Sequence, residues 1–252
     1  LDLVIIATTA NVRRAVIESL LEQKTVKYLI LEKVVFQNSY DFLPIQALFN
    51  KVGTRAWVNC ARRMYSFYKD LKANVNGQKL KMTVSGNDWG LACNSLHMID
   101  LLVFLTGQVD LNFSVEQLDN NIYPSKRNGY KELRGKLLVS TVRGDILVLN
   151  DRDKYDENIQ ISISNGSLKF TIFEGNGLII KHISNNKTHE EKISIPFQSE
   201  LTGSIVDQIL DTGESDLTPY EECLRYHIPM LDAFNDHISK VTGQKVTICP
   251  IT

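Results

Sequence analysis

A histidine, an aspartate and a cysteine share one face of the helix predicted over residues 89–106. Cys93, His97 and Asp100 follow one another at i, i+4 and i+7. About 100° per residue places them in a stripe about 60° wide, which Asn94 flanks. Histidine suits proton transfer near neutral pH, and Asp100 could hold its tautomer. Alternatively, His97 and Asp100 satisfy each other or a backbone group. No third ligand accompanies Cys93 and His97, so no metal site is predicted.

An acid and a base, Glu32 and Lys33, directly follow the apolar run at residues 28–31. A run without polar residues predicts a parallel strand that is covered on both faces. Ligands of open α/β sheets bind at the carboxyl ends of the strands, where a lysine can donate to a substrate oxygen or take part in acid–base chemistry. The alternative is a solvated ion pair at the start of a loop, which contributes little.

Two further clusters at predicted strand ends give weaker signals. Arg62 and Arg63 end a third predicted strand, where they could clamp a phosphate or carboxylate, and Tyr65 could stack or hydrogen-bond nearby. Thr8 and Thr9 stand between the first strand and a helix whose backbone amides could meet a phosphate or ribose. Adjacent arginines are also common on surfaces, and threonine is a common turn residue, so both alternatives stay open.

The pattern of predicted secondary structure that contains these residues changes near residue 74. Up to that point strands and helices alternate with short joints, which predicts a doubly wound α/β domain over residues 1–73. The sequence "NVNGQ", residues 74–78, predicts a hinge. A long apolar helix, several alternating strands and two closing helices follow. They predict an α+β domain over residues 74–252, with one antiparallel sheet and helices on one face.

Two helices carry specific expectations. The helix after the first strand is amphipathic, with one apolar face for the core and with Arg13 and Arg14 elsewhere. Thr218 is expected to cap the last helix, with Pro219 at its first position. The predicted core face of the earlier helix comprises Val12, Ala15, Val16, Ser19 and Leu20.

The composition argues against several classes of partner. The 252 residues carry a formal net charge of −1, so no bulk attraction to nucleic acid or to an anionic membrane is expected. No run of about 18 apolar residues predicts a transmembrane helix. The four cysteines lack the spacing of a disulfide framework, which favours a reducing, cytoplasmic location. The sequence opens without Met and almost inside an apolar run, so we expect an N-terminal portion to precede it.

Three stretches, in this order, resemble the Gfo/Idh/MocA family of NAD(P)-dependent sugar and cyclitol oxidoreductases. "VIIATTANVRRAVIESLLEQ" is similar to the family's fourth Rossmann strand and following helix, and "LILEKV" to the strand that ends in its E-K-P motif. "CNSLHMIDLLVFLTG" is similar to its D-x-G-x-H-x-x-D helix. The resemblance extends over essentially the whole chain. It implies part of a dinucleotide-binding Rossmann domain over residues 1–73. Residues 74–252 would then form a substrate-binding and oligomerisation domain with a large open, mainly antiparallel sheet.

The resemblance implies a role for each matching residue. Lys33 matches the lysine that contacts the reacting oxygen of the substrate and the nicotinamide end of NAD or NADP. His97 matches the general acid/base, and Asp100 matches the acid that supports it. The residues expected at the cofactor are Ala7, Thr8, Thr9, Glu32 and Lys33. The residues expected at the substrate are Arg62, Arg63, Tyr65, Cys93, Asn94 and His97.

Three motifs depart from the family pattern. Val34 replaces the E-K-P proline, and the A-T-P-N turn reads "ATTA" at residues 7–10. Cys93 replaces the catalytic Asp four residues before His97. A thiol acts as a base only when it is held as a thiolate, so Lys33 with His97 would carry the proton chemistry. No G-x-G-x-x-G turn is present, and the family's phosphate turn would lie upstream of the sequence.

These observations predict an oxidoreductase that moves a hydride between NAD or NADP and a carbinol or keto carbon of a sugar, nucleotide-sugar or cyclitol. The alternative is a catalytically inactive sugar- or dinucleotide-sensing protein on the same scaffold, since the family includes the galactose-pathway repressor. A third interpretation is a proteolysed fragment that binds no cofactor. The family's open sheet and the alternating polar residues of "KLLVSTV" predict a homo-oligomer, either a dimer or a tetramer.

Overall fold

The computed structural model of the protein describes four stretches of the chain, residues 1–75, 77–151, 158–183 and 187–252. The chain forms two compact units. Unit 1 comprises Leu1–Met64 together with Phe197–Thr252, and unit 2 comprises Tyr65–Pro196. This division differs from the predicted boundary after residue 73, because the chain returns to unit 1 for its last two helices.

Unit 1 is built on a four-stranded sheet. Its strands are β1 (Leu3–Ile6), β2 (Tyr28–Leu31), β3 (Arg55–Val58) and β14 (Thr218–Pro219), in the spatial order β1-β2-β3-β14. β1, β2 and β3 run parallel, and β14 is antiparallel to β3. β2 has a neighbour on each side and all four of its residues are buried, as the unbroken apolar run predicts. β1 lies at the edge, and its Ile5 is 43% exposed, so an apolar run by itself does not show that both faces of a strand are covered.

Four helices belong to unit 1. They are α1 (Ala10–Gln23), α2 (Phe42–Val52), α5 (Gln198–Thr212) and α6 (Tyr220–Thr242), with short 3-10 helices at Ser39–Asp41 and Ala61–Met64. Ile205 and Ile209 of α5 pack on Ile30 and Trp57 of the sheet. The closing helices therefore complete the core of unit 1. A local sequence pattern does not show that a distant segment returns in this way.

The buried face of α1 differs from the predicted one. Arg13, Ile17 and Leu21 are buried, whereas Val12 and Val16 are 43% and 37% exposed. The helix has apolar residues on both faces, so its pattern alone did not identify the face that packs. Arg13 tolerates burial because its guanidinium group donates to backbone carbonyl groups.

The start of α6 is also corrected. Thr218 and Pro219 pair with Val58 and Trp57 as β14, and the helix begins at Tyr220. Thr218 is fully buried in this pairing, so the predicted cap is wrong. Thr-Pro is typical of a helix start, but here the backbone of both residues extends the sheet before the helix begins.

Unit 2 is built on an eight-stranded sheet in the order β13-β12-β11-β10-β4-β9-β8-β5. β4 and β9 run parallel, and the other neighbouring pairs are antiparallel. The strands are β4 (Lys81–Gly86), β5 (Leu111–Leu118), β8 (Gly135–Thr141), β9 (Ile146–Asp151), β10 (Gln160–Ser164), β11 (Lys169–Phe173), β12 (Leu178–His182) and β13 (Thr188–Lys192). The predicted fold class is confirmed: a parallel sheet with helices, and a large, mainly antiparallel sheet.

In the described residues of unit 2, the remaining elements are two helices, a 3-10 helix and a small hairpin. They are α3 (Ser66–Val75), α4 (Leu91–Thr106), the 3-10 helix Glu174–Asn176, β6 (Tyr123–Pro124) and β7 (Lys131–Glu132). α4 packs against α3 and β9. Because 12 of its 16 residues are buried, the positions on α4 that stay partly accessible are few, and these include Cys93, Asn94 and His97.

Candidate functional site

The carboxyl ends of β1, β2 and β3 lie at one edge of the unit 1 sheet, because the three strands run parallel. Polar residues follow each strand: Thr8 after β1, Glu32 and Lys33 after β2, and Asn59 after β3. The structure therefore brings residues of the predicted cofactor set to a common edge. Our sequence reasoning missed Asn59, although its place directly after a strand was a usable signal.

Glu32 is the centre of a hydrogen-bond network at this edge. Its Oε2 accepts bonds from Nδ2 of Asn59 at 3.1 Å and from Nε2 of Gln198 at 3.2 Å. Its Oε1 accepts a bond from the backbone N–H of Lys33 at 3.1 Å. Gln198 belongs to α5, more than 160 residues further along the chain, so no local signal could have found it.

A cleft of about 380 Å³ opens beside this network. Ala7 and Glu32 contribute to it together with Asn59 and Gln198, and the remaining wall consists of four apolar side chains with Ser199 and Thr202 of α5. The apolar residues are Ile5, Ile30, Ile205 and Leu217. Such a cleft suits a ligand with a flat apolar surface and hydroxyl or amide groups that a carboxylate can bind.

The turn between β1 and α1 carries the two predicted threonines. Thr9 is the N-cap residue of α1, and its side chain makes no capping bond. The hydroxyl oxygen of Thr8 is buried and has no hydrogen-bond partner in the part of the chain that the structure describes. The first turn of α1 contains no acidic residue. The helix start therefore keeps the positive end of its dipole available for an anion.

The loop that carries Lys33 is held in place by buried residues and by hydrogen bonds from Arg13. Val34 and Val35 are fully buried, Lys33 is half-buried, and the Lys33–Val34 peptide bond is cis. Both valine carbonyl groups accept bonds from Arg13. Burial, together with the charges of Arg13 and Lys33, lowers the pKa of His227 on α6 to about 3. His227 is therefore neutral near physiological pH.

The two predicted arginines lie on the 3-10 helix Ala61–Met64 rather than at a strand end, because β3 ends at Val58. Arg63 is buried, and its Nη2 lies 2.6 Å from Oε1 of Glu222 on α6. Arg62 is half-buried. The ion pair of Arg63 joins the 3-10 helix to α6 within unit 1 and favours a structural role for this residue.

In unit 2, α4 presents the predicted polar stripe. Cys93, Asn94 and His97 are half-buried on a helix that is otherwise mostly buried, and Asp100 is fully buried. The Nδ2 group of Asn94 donates to the carbonyl oxygen of Trp89 at 2.8 Å, so this amide also holds the start of the helix. The stripe therefore places a histidine at an accessible position and an aspartate one turn further into the interior.

Glu132 of β7 fixes the first turn of α4. This carboxylate is buried and accepts bonds from the backbone N–H groups of Ala92 and Cys93. Glycine is favoured at the N-cap position, Gly90, because its φ of 75° is left-handed and because a Cβ atom would lie 3.1 Å from Nδ2 of Asn94 and 3.2 Å from Oε2 of Glu132. No local pattern pointed to Glu132, because it lies about 40 residues from its partners.

Tyr65 begins unit 2 and belongs to a small aromatic cluster. Its ring stacks on that of Tyr68 with centroids 6.2 Å apart, and Phe67 lies at 6.0 Å. The Tyr68 hydroxyl group donates to Glu174 at 2.8 Å. Tyr65 is half-buried, so part of its ring stays accessible for the predicted stacking or hydrogen bond.

The candidate residues thus fall into one set in each unit. Unit 1 holds the five predicted cofactor residues together with the two arginines, and unit 2 holds Tyr65 and the stripe of α4. Within residues 1–75, 77–151, 158–183 and 187–252, no group of three or more His, Cys, Asp or Glu side chains could hold a metal ion. No helix in those stretches is long and apolar enough to cross a membrane.

Solved structures with a similar fold exist, although the sequence matches no protein-family model and no curated protein. A super-repressor mutant of Gal80p from Saccharomyces cerevisiae is 13% identical with a TM-score of 0.69, and the match covers 98% of this chain and 79% of that one. UDP-N-acetylglucosamine 3-dehydrogenase from Acidithiobacillus ferrooxidans is 12% identical with a TM-score of 0.69, and the match covers 92% and 77%. An oxidoreductase from Agrobacterium radiobacter, in complex with NAD+, L-tartaric acid and magnesium, is 14% identical with a TM-score of 0.66, covering 95% and 78%.

The chain has the fold of the Gfo/Idh/MocA oxidoreductases. The resemblance of the three sequence stretches is thereby confirmed at the level of the fold. In this Gfo/Idh/MocA fold, "VIIATTA" lies at β1 and the turn after it, "LILEKV" at the end of β2, and the His97 stretch on α4. Each motif therefore stands on the kind of element that the resemblance implied.

Proposed function

We propose that the protein is an oxidoreductase that moves a hydride between NAD or NADP and a carbinol or keto carbon of a sugar, nucleotide-sugar or cyclitol. The observation that carries this proposal is the carboxyl edge of the unit 1 sheet, where Glu32 and Ala7 line a cleft and Lys33 directly follows Glu32 in the chain. The shared fold with an NAD+-bound oxidoreductase and a UDP-sugar dehydrogenase supports it. On this proposal unit 1 binds the dinucleotide and unit 2 binds the substrate.

The residues present at the edge fit a dinucleotide. The amide groups at the start of α1, next to Thr8 and Thr9, would bind a phosphate. Glu32 would accept a hydrogen bond from a ribose hydroxyl or a carboxamide group in the cleft, to which Ala7 contributes. The bound cofactor would supply or accept the hydride. The protein's contribution would be to hold the reactive ring in one place and to exclude water from it.

The proton of the substrate hydroxyl group would be handled by Lys33 and His97. Lys33 would donate to the reacting oxygen, and His97 would serve as general acid or base at an accessible position of α4. Asp100, fully buried one turn away on the same helix, would support His97. Further substrate contacts would come from Arg62, Tyr65, Cys93 and Asn94, while the ion pair of Arg63 supports a structural role.

Fluorescence titration with NADH and NADPH tests the proposal directly. We expect one of the two to bind with a dissociation constant in the micromolar range, and we expect a panel of sugars, nucleotide-sugars and cyclitols to contain a substrate that oxidises or reduces it. Glu32→Ala should weaken this binding, while Glu18→Ala, on the exposed end of an α1 ion pair, should leave it unchanged. Absence of binding by both dinucleotides would overturn the proposal.

A non-catalytic sensing protein is the second candidate. Cys93 stands at the position of the family's catalytic Asp, and the similar structures include a super-repressor mutant of Gal80p. This alternative predicts dinucleotide binding without turnover of any member of the substrate panel. Replacing Cys93 by Asp would then test whether the lost carboxylate is the reason for the inactivity.

We also propose a homo-oligomer, a dimer or a tetramer, in which the open sheet face of unit 2 meets another copy. Along β8 buried residues alternate with half-buried ones, and the half-buried face contains Lys136, Leu138 and Ser140. Mixed polarity of this kind suits a partly hydrated interface. Light scattering that gives the mass of one chain would contradict it. The cysteine pattern supports a cytoplasmic location, which fractionation can test.

A further inference from the structure

Arg13 is a buried charged residue that the proposed chemistry does not use. It is 1% exposed and lies under the carboxyl edge of the unit 1 sheet, on the first turns of α1. Its Nη1 group donates to the carbonyl oxygens of Val34 and Val35, the latter at 2.8 Å, and its Nη2 group donates to the carbonyl oxygen of Thr8. One side chain therefore joins the loop after β1 to the loop after β2.

Burying a guanidinium group is unfavourable unless its donors are satisfied. Burial lowers the pKa of Arg13 to about 10, and the charge of Glu32 partly opposes this effect. Since that value lies well above 7, the side chain stays protonated at neutral pH. A positive charge is thus kept in the interior of unit 1. The planar guanidinium group donates to backbone carbonyl groups that are not paired by a helix or a strand.

The two loops that Arg13 joins carry the residues of greatest interest. The first holds Thr8 at the start of α1, and the second begins with Lys33, directly before Val34. The rigid guanidinium plane fixes the separation of its two Nη groups, and so it fixes the separation of the carbonyl groups that they bind. A lysine at the same position carries its three donors on a single nitrogen atom, so it lacks the two separated Nη groups that bind the two loops.

We propose that Arg13 is a positioning residue, which sets the distance between the turn that meets the cofactor and the amine of Lys33. This role rests on the proposed function, because it assumes that the two loops serve one reaction. Arg13 touches neither cofactor nor substrate and acts through Thr8 and Lys33. An error of about 1 Å in such a distance lowers turnover about 10²-fold.

The neighbouring arginine provides a matched control. Arg14 is half-buried, and its guanidinium group pairs with Glu18 at 2.9 Å and with Asp41 at 2.7 Å on the surface of unit 1. Pairs between partly exposed side chains, such as Arg14 with Glu18, contribute little to stability. Arg13→Met and Arg14→Met therefore remove the same group from adjacent positions of one helix. Only Arg13→Met removes the hydrogen bonds that join the two loops.

The first measurement needs no enzymatic activity. In the full chain, mass spectrometry follows the acylation rate of each lysine by a small amine-reactive ester, and amide hydrogen exchange follows residues 34–36. We expect Arg13→Met to raise the exchange of these amides and to change the labelling of Lys33 several-fold, with Lys27 as internal reference. Arg14→Met should change neither. Equal labelling and exchange in Arg13→Met and the unsubstituted protein would overturn the positioning role.

The second measurement uses turnover with NADH or NADPH and the best substrate of the panel. We expect Arg13→Met to lower kcat about 10²-fold with a much smaller change in KM, and guanidinium ion to restore part of the lost rate. If Arg13→Met does not fold, Arg13→Lys keeps the charge and should show the same loss of kcat. Full kcat in Arg13→Lys would overturn the inference. Lack of turnover in the unsubstituted protein would instead refute the proposed function, and the labelling result would still decide the role of Arg13.

Discussion

The edge of the unit 1 sheet and the helix α4 of unit 2 hold their polar side chains in different ways. At the edge, strands of four residues end in loops, and hydrogen bonds from Asn59 and Gln198 fix Glu32. On α4, packing holds the polar side chains in position, because 12 of the 16 residues are buried and the geometry of the helix sets the position of His97. The two regions therefore depend on different kinds of interaction.

Because of this difference, we expect substitutions in the two regions to have different effects on function and on stability. At the edge, a lost polar contact shifts one loop, while the buried strands behind it keep the fold. On α4, a lost apolar side chain leaves a cavity in the core of unit 2, but the spacing of the polar stripe is set by the helix itself. We expect substitutions at the edge to affect turnover more than stability, and substitutions inside α4 to do the reverse.

The largest effect is expected at Lys33. Lys33→Met keeps the length and apolar stem of the side chain but removes its proton, so turnover should fall about 10²–10⁴-fold. Unfolding by urea should show a change in free energy of about 0.5 kcal/mol or less, as for other surface substitutions. Lys27→Met, at the exposed opposite end of β2, is the control and should keep full turnover. Normal turnover in Lys33→Met would remove Lys33 from the proposed chemistry.

The next effect is on stability and belongs to α4. Leu96 is fully buried, and Leu96→Ala should lower the free energy of unfolding of unit 2 by about 2–5 kcal/mol. The control is the same substitution at Leu43 on α2, which is 61% exposed and should cost about 0.5 kcal/mol or less. Urea unfolding followed by circular dichroism measures both. Equal losses at the two leucines would mean that packing does not distinguish α4.

The stability of unit 2 is expected to depend on pH, because unit 2 contains a buried acid. Asp145 is fully buried between β8 and β9 and accepts bonds from Arg143, from Thr141 at 2.7 Å and from the N–H of Leu80 at 2.8 Å. Burial acts to raise the pKa of Asp145, but the bonds from Arg143 and Thr141 outweigh it, and the pKa is lowered from 3.8. Its contribution to stability is therefore complete above pH 3.8 and is lost as the pH falls through the folded-state value.

Asp145→Asn should accordingly lower the free energy of unfolding by about 1.5–3 kcal/mol at pH 7, since it removes hydrogen bonds to a charged group. The difference from the unsubstituted protein should shrink as the pH approaches 3. Asp236→Asn, at an exposed position of α6, is the control and should show little effect at either pH. A difference that stays constant from pH 7 to pH 3 would contradict the ionised role of Asp145.

The sequence correctly predicted elements that are buried on all sides. β2 and α4 are apolar on all sides, so local composition alone indicates that they are buried, and the polar residues at their ends or on one stripe stand out. α1 failed this test, because it has apolar residues on two faces and because the charge of Arg13 indicated solvent. The carbonyl groups that satisfy Arg13 belong to loops that no helical pattern includes.

Long-range partners were missed for a related reason. Gln198 reaches Glu32, and Thr218 pairs with β3, although each lies more than 150 residues from its partner in sequence. Such contacts depend on where the chain returns, which no window of neighbouring residues contains. Glu132, which fixes the start of α4, is invisible to a local pattern in the same way.

The smallest predicted effect tests whether hydrogen bonds fix the edge. Asn59→Ala removes the bond of 3.1 Å to Glu32 but leaves the bond of 3.2 Å from Gln198, so stability should fall by only about 1 kcal/mol. NADH binding should weaken several-fold, because the carboxylate gains freedom to turn in the cleft. Combining Asn59→Ala with Glu32→Gln gives a double-mutant cycle, and we expect a coupling energy of about 0.5–1.5 kcal/mol. Additive losses would show that the bond from Asn59 does not position Glu32, and the contrast with α4 would then rest on the bond from Gln198 and on the Arg13 contacts.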